Sequence, residues 1–177
     1  MVRAGRFLWV QKANIHNLAI QRDSSRHIQS VSASHDGYRK FGAIHTRQVS
    51  TRPGGKPGWL IQDDILPVDG IPTSLKHAVR LVWLLPDGEW EVVGRSFRLV
   101  SPAGIIHLDF STSGIDEQTA GLEIYRAGES LTATRASNPT WGWHSPTYGV
   151  REPALAVHFQ ANGTLPMQLT TRWRLPK

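Results

Sequence analysis

Alternation of apolar and polar positions with a period of two recurs along the chain. In residues 106–111, Ile, Leu and Phe alternate with His, Asp and Ser, which is typical of a strand with one buried face. Residues 77–85 form an apolar run of strand length, and Pro-Asp-Gly at 86–88 follows it as a turn. Shorter alternating segments occupy 89–92 and 97–99. These patterns predict short strands joined by turns, with almost no helix.

The C-terminal region carries the strongest hairpin signal. Apolar and polar residues alternate over 155–160, Asn162-Gly163 is a turn dipeptide, and alternation resumes over 165–173. We therefore expect a β-hairpin that turns at Asn162-Gly163. Together the strands predict an all-β fold, an antiparallel β-sandwich. Three tryptophans in strand-like alternation are predicted to pack in the core: Trp83, Trp90 and Trp173.

Two stretches are predicted to be loops, at 51–58 and 137–149. The first contains two prolines, which lack a backbone donor, and three glycines, which lose much entropy on ordering. The second is irregular but rich in aromatic residues. No internal repeat or domain boundary is visible, so residues 1–177 are predicted to form one domain.

Composition excludes several classes of protein. The chain has 177 residues, of which 40% are hydrophobic and 19% charged, as in a globular protein rather than a disordered one. No apolar run is long enough for a transmembrane helix. Residues 1–6 are basic, but the apolar segment 7–10 is too short for a signal-peptide core. The chain is therefore expected to lack a signal peptide, although a longer parent protein could be exported.

Metal and thiol chemistry find no support in the sequence. There is no cysteine, and the eight histidines include no His-X-His or His-X-X-X-His spacing. Asp63-Asp64 is predicted to be a solvated strand end rather than a ligand pair. No metal site and no cofactor are predicted.

The net charge of +6 and the sequence pI near 10.2 favour an acidic partner. An anionic polysaccharide, a nucleic acid or a membrane surface would satisfy that charge. The basic residues are scattered, however, with no run of five or more. A solvated basic surface without a specific partner is the alternative.

Residues 34–47 hold the densest group of candidate functional side chains. Asp36-Gly37 is a hairpin signal, because Gly accepts positive φ and the Asp side chain can bond the backbone two residues on. That turn leaves four nearby side chains unexplained, and they are predicted to form a polar cluster: His35, Tyr38, His45 and Arg47.

Separated segments of the chain, in one order from about Val10 to the end, carry a resemblance to a known family. They are His35-Asp36-Gly37-Tyr38, His45-X-Arg47, Trp59-Leu60-Ile61 with Asp63, Trp83-Leu84-Leu85-Pro86-Asp87, Gly142-Trp143-His144-Ser145-Pro146-Thr147-Tyr148-Gly149 and Glu152-Pro153-Ala154-Leu155. The chain resembles the C-terminal region of heparinase II/III-like proteins, which are bacterial polysaccharide lyases and their relatives. Several uncommon strings are more specific than one short motif.

The resemblance implies the late part of a β-sandwich. Family members join a long α-helical toroid to a sandwich whose early strands carry a His-X-His segment, and neither is found in this sequence. The chain is therefore expected to be truncated at its N-terminus, inactive alone, and partnered by a toroid domain or chain. The family is often periplasmic or secreted, which leaves the location of this chain undetermined.

The resemblance also assigns chemistry to the polar cluster. β-Elimination of a uronate requires neutralisation of its carboxylate, removal of the C5 proton and protonation of the leaving oxygen, tasks that suit His, Arg and Tyr. This predicts catalytic roles for His35, Tyr38, His45 and Arg47. The alternative is a hairpin whose histidines lie on the solvent face.

A second candidate site lies in the aromatic loop. Aromatic faces stack on sugar rings, and flanking cations bind hydroxyls or carboxylates. The residues predicted to bind substrate are Trp141, Trp143, His144, Tyr148 and Arg151. Alternatively, this loop caps the open end of the sandwich or packs against the toroid.

The function predicted from sequence is the C-terminal domain of a lyase that acts on an acidic, uronate-containing polysaccharide. Under the resemblance this polysaccharide is favoured over nucleic acid and membrane as the partner. One alternative is a noncatalytic carbohydrate-binding or structural module, and another is a remnant that self-associates through an exposed sheet edge.

Overall fold

The computed structural model describes residues 13–52, 54, 56–70, 74–115, 117–132 and 138–176. Thirteen strands lie in these ranges: β1 Ile15–Arg22, β2 Ile28–His35, β3 Ala43–Thr51, β4 Trp59–Pro67, β5 Lys76–Pro86, β6 Trp90–Val93, β7 Ser96–Ser101, β8 Gly104–Ser113, β9 Gly121–Arg126, β10 Glu129–Ser130, β11 Trp143–His144, β12 Glu152–Thr164 and β13 Met167–Arg174. The helical segments among them include the 3-10 turns Arg39–Phe41 and Glu117–Thr119. The predicted N-terminal features at 1–10 and Ser137 lie outside the described residues.

The strands form two antiparallel sheets. The larger has the order β1-β2-β3-β4-β13-β8-β7-β6, and in the smaller, β12 pairs with β9 and β11 as well as with β5. β10 completes the smaller sheet by pairing with β9. This is a β-sandwich, and the predicted all-β fold is confirmed.

The core lies between the two sheets and follows the alternation of the strands. Leu155, Val157 and Phe159 of β12 are fully buried, and Phe159 meets Phe110 of β8 with ring centroids 5.0 Å apart. On β8, Leu108 is also fully buried, as the alternation over 106–111 predicts. The three tryptophans predicted for the core, at 83, 90 and 173, are partly buried and pack against it.

The hairpin predicted at Asn162-Gly163 is wrong. Both residues lie inside β12 and pair with Ala78 and His77 of β5. The chain then crosses through Leu165 into β13, which belongs to the other sheet and pairs with β4 and β8. The turn dipeptide is a local signal, and pairing along the whole length of β5 overrides it.

The hairpin between β2 and β3 is confirmed, but its turn is wider than Asp36-Gly37. His35 pairs with His45, and residues 36–42 connect the strands through a 3-10 turn. Gly42 ends that turn with φ of 80°, a left-handed conformation that favours glycine. The Asp36 carboxylate accepts a bond from the backbone N–H of Asn14 at 2.8 Å rather than bonding two residues on. Asp36 therefore ties this loop to the segment before β1.

Two adjacent leucines of β5 allow a test of which face of this strand lies in the core. Leu85 is 5% exposed and points into the core, whereas Leu84 is 51% exposed. Leu85→Ala should lower the free energy of unfolding by about 2–5 kcal/mol because it leaves a cavity. The matched variant Leu84→Ala should lower it by about 0.5 kcal/mol. Equal losses in urea denaturation would contradict the sandwich packing of β5.

Candidate functional site

A hydrogen-bonded network of polar side chains spans β2, β3 and β4. The register places His35 opposite His45 and Arg47 opposite Asp63. His35 Nε2 lies 2.9 Å from His45 Nδ1, and His45 Nε2 lies 2.6 Å from Asp63 Oδ1. Arg47 donates from Nε to Asp63 Oδ1 at 2.7 Å and from Nη2 to Oδ2 at 3.2 Å. The Tyr38 ring lies 5.2 Å from that of His35, so all four residues of the predicted cluster come together.

Asp63 is the centre of this network and has no exposed surface. It was expected at a solvated strand end, and that expectation is wrong because β4 lies between β3 and β13 in the larger sheet. Burial raises the pKa of its carboxyl, but the bonds from His45 and Arg47 outweigh this effect and hold the pKa below the usual range. Asp63 is therefore an ionised, fully paired carboxylate. Its neighbour Asp64 is half-buried and accepts bonds from Gln62 and Gln168.

The two histidines are held by the network instead of facing solvent. The side chain of His45 is 14% exposed. Nδ1 of His35 accepts a bond from the backbone N–H of Gly37 at 3.2 Å. Burial, followed by the neighbouring His45, lowers the pKa of His35. The alternative of a hairpin with solvent-facing histidines does not fit this arrangement.

A cleft of about 520 Å³ opens beside the network, between β3 and β5. Its lining residues are Tyr38, Phe41, Ala43, His45, Arg47, Ile65, Lys76, His77, Ala78, Val79, Arg80, Leu81 and Val82. Every formally charged residue in this lining is basic, and two histidines also line it. The arrangement suits an anionic ligand, because like-signed groups around a concave wall concentrate the electrostatic potential.

Arg47 joins the two sheets at this cleft. Its guanidinium is bound to Asp63 in the larger sheet and lies 5.2 Å from the ring centroid of Trp83 in the smaller one. Trp83 in turn donates from Nε1 to Thr171 Oγ1 of β13 at 3.3 Å. These contacts fix the Arg47 side chain, so the cleft wall is preorganised.

The aromatic loop lies on the face of the smaller sheet that points away from the core. Trp141 packs edge-on against Tyr125 and His158, with ring centroids 4.7 and 4.5 Å away. Arg80 lies 4.4 Å over the Trp141 ring. The loop thus covers a sheet face, and Trp141 is held by packing.

The other residues predicted to bind substrate do not share that packed position. The guanidinium of Arg151 lies 3.8 Å from the ring centroid of Trp143, so one indole face is already covered. Trp143 also donates from Nε1 to the Pro139 carbonyl at 3.1 Å. His144 and Tyr148 are exposed, Tyr148 completely.

Sequence reasoning missed His158, which is buried in β12. It is 1% exposed, and neither ring nitrogen has a hydrogen-bond partner in the described structure. Burial, and then the nearby positive charge of Arg80, lower its pKa to about 4. Alternation had suggested a polar outer face at this position, and the cover supplied by Trp141 comes from a loop that no local pattern connects to it.

The described residues contain no group of three or more His, Cys, Asp or Glu side chains arranged to hold a metal ion. Their helical segments include none long and apolar enough to cross a membrane.

The fold and the network define a β-sandwich protein with a basic cleft, and comparison with known proteins identifies its family. The family model described as "Heparinase II/III-like, C-terminal" matches residues 1–173. The chain belongs to this family, as its sequence resemblance predicted. No curated protein sequence matches the chain significantly.

Solved structures share the fold. The structure titled "Heparinase III-BT4657 gene product" matches with a TM-score of 0.65 and 16% identity, over 94% of this chain and 22% of its own. The heparan sulfate lyase HepC from Pedobacter heparinus matches with a TM-score of 0.59 and 12% identity, over 93% of this chain and 22% of its own. The chain therefore spans about a fifth of the length of these structures.

Two adjacent acidic residues of β4, Asp63 in the network and Asp64 outside it, allow a test of how much the buried network stabilises the fold. Asp63→Ala leaves His45 and Arg47 without their common partner and should lower the free energy of unfolding by about 3–5 kcal/mol. Asp64→Ala removes bonds to two half-buried glutamines and should cost about 1 kcal/mol. Chemical denaturation measures both losses. A cost for Asp63→Ala no greater than that for Asp64→Ala would show that the network does not stabilise the fold.

The buried His158 predicts a dependence of stability on pH. Between the ordinary histidine pKa of 6.5 and about 4, the unfolded chain binds a proton at this residue that the folded chain does not. Stability should therefore fall as the pH is lowered through this window, by about 3 kcal/mol in total at roughly 1.4 kcal/mol per pKa unit. Thermal or urea denaturation at pH 4–7 measures the slope.

Two variants isolate the His158 contribution. His158→Phe should remove most of this slope, because the phenyl ring takes no proton. His107→Phe, which changes a half-buried histidine of the larger sheet, should keep it. The same pH dependence in the His158→Phe variant would assign the effect to another group.

Proposed function

We propose that this chain is the C-terminal sandwich of a polysaccharide lyase and that its cleft binds an acidic, uronate-containing polysaccharide. The observation that carries the proposal is the cleft itself, whose formally charged lining residues are all basic and which borders the His35–His45–Asp63 network. The titles of the similar structures name heparinase III and heparan sulfate lyase. Family membership and the charge of the cleft thus favour the same class of ligand.

An acidic polysaccharide carries anionic groups and has apolar ring faces, and the residues that line the cleft suit both. Lys76 and Arg80 can pair with carboxylate or sulfate groups, and Arg's planar guanidinium offers bidentate hydrogen bonds. Tyr38 and Phe41 lie on the same cleft and supply aromatic faces for the apolar side of a sugar ring. Anionic groups would therefore bind along β5, and the ring would rest against the 36–42 loop.

The network also has groups suited to β-elimination. A histidine can remove the C5 proton, Arg47 can neutralise the uronate carboxylate, and Tyr38 can protonate the leaving oxygen. Because the similar structures are about four times as long as this chain, we infer that catalysis belongs to the complete enzyme and needs a further domain, such as a helical toroid. The isolated chain is then a binding module that does not cleave.

The aromatic loop is a second candidate for carbohydrate binding, favoured by the complete exposure of Tyr148. A noncatalytic module would use that ring as a stacking platform. The cleft remains the stronger candidate, because Arg151 already covers one face of Trp143 and packing holds Trp141.

Replacement of one lysine tests the cleft. Heparan sulfate oligosaccharide binding, measured by calorimetry, should weaken roughly two- to fivefold in Lys76→Ala, the loss expected for one exposed ion pair. Lys56→Ala makes the same charge change at an exposed position outside the cleft, and it should leave affinity unchanged. Equal losses would mean that binding depends on net charge alone, and Tyr148→Ala shows whether the loop binds instead.

The same samples show whether the chain cleaves. The unsaturated uronate product of β-elimination absorbs in the ultraviolet, and we expect no increase in absorbance with the folded chain. An increase that is abolished in His35→Ala would show that these residues catalyse the reaction without another domain.

A further inference from the structure

We propose that His35 accepts a proton at Nδ1 and that a relay of hydrogen bonds from His35 through His45 to Asp63 holds the ring in the accepting tautomer. The proton stays on His35, and Asp63 is the positioning residue. The role of this relay in lyase chemistry rests on the proposed function. Its direction follows from the chemistry of the groups at its two ends, each of which allows only one arrangement of hydrogens.

The outer end is fixed by the backbone. Gly37 N–H lies 3.2 Å from His35 Nδ1, and a backbone amide can only donate. Nδ1 must therefore carry no hydrogen, and the neutral His35 ring carries its proton on Nε2. That proton points to His45 Nδ1, 2.9 Å away.

The inner end is fixed by the buried carboxylate. Asp63 is ionised and also receives two bonds from Arg47, so it can only accept from His45 Nε2 at 2.6 Å. The neutral His45 ring therefore carries its proton on Nε2 and leaves Nδ1 bare. The two hydrogen positions are thus assigned independently, and they agree: the hydrogen on His35 Nε2 faces the bare Nδ1 of His45.

This agreement decides where an added proton can enter. Both nitrogens of His45 are engaged with His35 and Asp63, so protonation there would break the contact with His35. A proton that arrives at His35 Nδ1 displaces only the Gly37 N–H bond. The resulting imidazolium still donates from Nε2 to His45, which is polarised by the Asp63 carboxylate, and Asp63 itself stays ionised.

The loop that borders the cleft also holds the entry point. Nδ1 of His35 accepts the N–H bond of Gly37, which belongs to the 36–42 loop, and Tyr38 and Phe41 of that loop line the cleft. A Cβ atom added at Gly37 would lie 3.1 Å from Nδ1, tighter than ordinary van der Waals contact. Glycine at this position therefore lets the amide approach the ring.

Nitrogen NMR of the histidine rings tests the relay in the unaltered protein. With uniformly ¹⁵N-labelled chain at neutral pH, the ring hydrogen should lie on Nε2 in both His35 and His45. On acidification, His35 should take up its proton at Nδ1, and it should do so below the ordinary histidine range because burial lowers its pKa. A hydrogen on Nδ1 of either ring at neutral pH would overturn the relay.

Substitutions at the two ends should shift the protonation of His35 in opposite directions. Asp63→Asn removes the negative charge that stabilises the imidazolium, so the midpoint should fall by about one pH unit. Gly37→Ala weakens the bond that favours the neutral ring, so the midpoint should rise. Asp64→Asn makes the same charge change on the other face of β4 and is the matched control.

These outcomes separate the relay from the proposed function. Shifts of the same sign in Asp63→Asn and Gly37→Ala, or an equal shift in Asp64→Asn, would refute the relay even if the oligosaccharide binds. Should Asp63→Asn fail to fold, the unaltered chain and Gly37→Ala still decide the question. Opposite shifts without oligosaccharide binding would support the relay and overturn the proposed function.

Discussion

The fully buried carboxylate of Asp63 is the constraint around which this end of the sandwich is organised. An ionised carboxylate without water is tolerated only when cations and hydrogen-bond donors surround it. His45 and Arg47 supply them from β3, and this requires the register that places Arg47 opposite Asp63. A slip by one residue would turn these side chains to the other face of the sheet. The pairing of β3 with β4 and the positions of both histidines thus depend on one buried charge.

The cleft follows from the unequal coverage of the larger sheet. β1 is exposed along its whole length. In the same sheet, the neighbouring strands β4, β13 and β8 all contribute residues to the buried core. β3 stands at the boundary between these regions, so Ala43, His45 and Arg47 line the cleft, and Ala43 also belongs to the core. A polar network can form at such a margin because its partners keep partial access to water, which reduces the cost of desolvation. A buried carboxylate and a basic cleft can therefore lie side by side along β3.

Arg80 links this cleft to the aromatic loop. It lines the cleft and stacks on Trp141, whose ring covers His158. The cleft and the aromatic loop are thus separate surfaces that meet at one guanidinium. The absence of hydrogen-bond partners for His158 in the described structure is tolerable because the imidazole stays neutral, and the positive charge of Arg80 favours that state.

The sequence by itself determined the fold class, the alternating faces of β8 and β12, and the family. Alternation is a local property, since the pleat of a strand sends successive side chains to opposite faces, and family strings can be recognised without coordinates. Only the tertiary structure decided which strands pair. It placed Asn162-Gly163 inside a strand, buried Asp63 beside His45, and set Trp141 over His158, because each outcome depends on a segment distant in the chain. Single-strand periodicity contains no information about such neighbours, and the chemistry of the network arises from them.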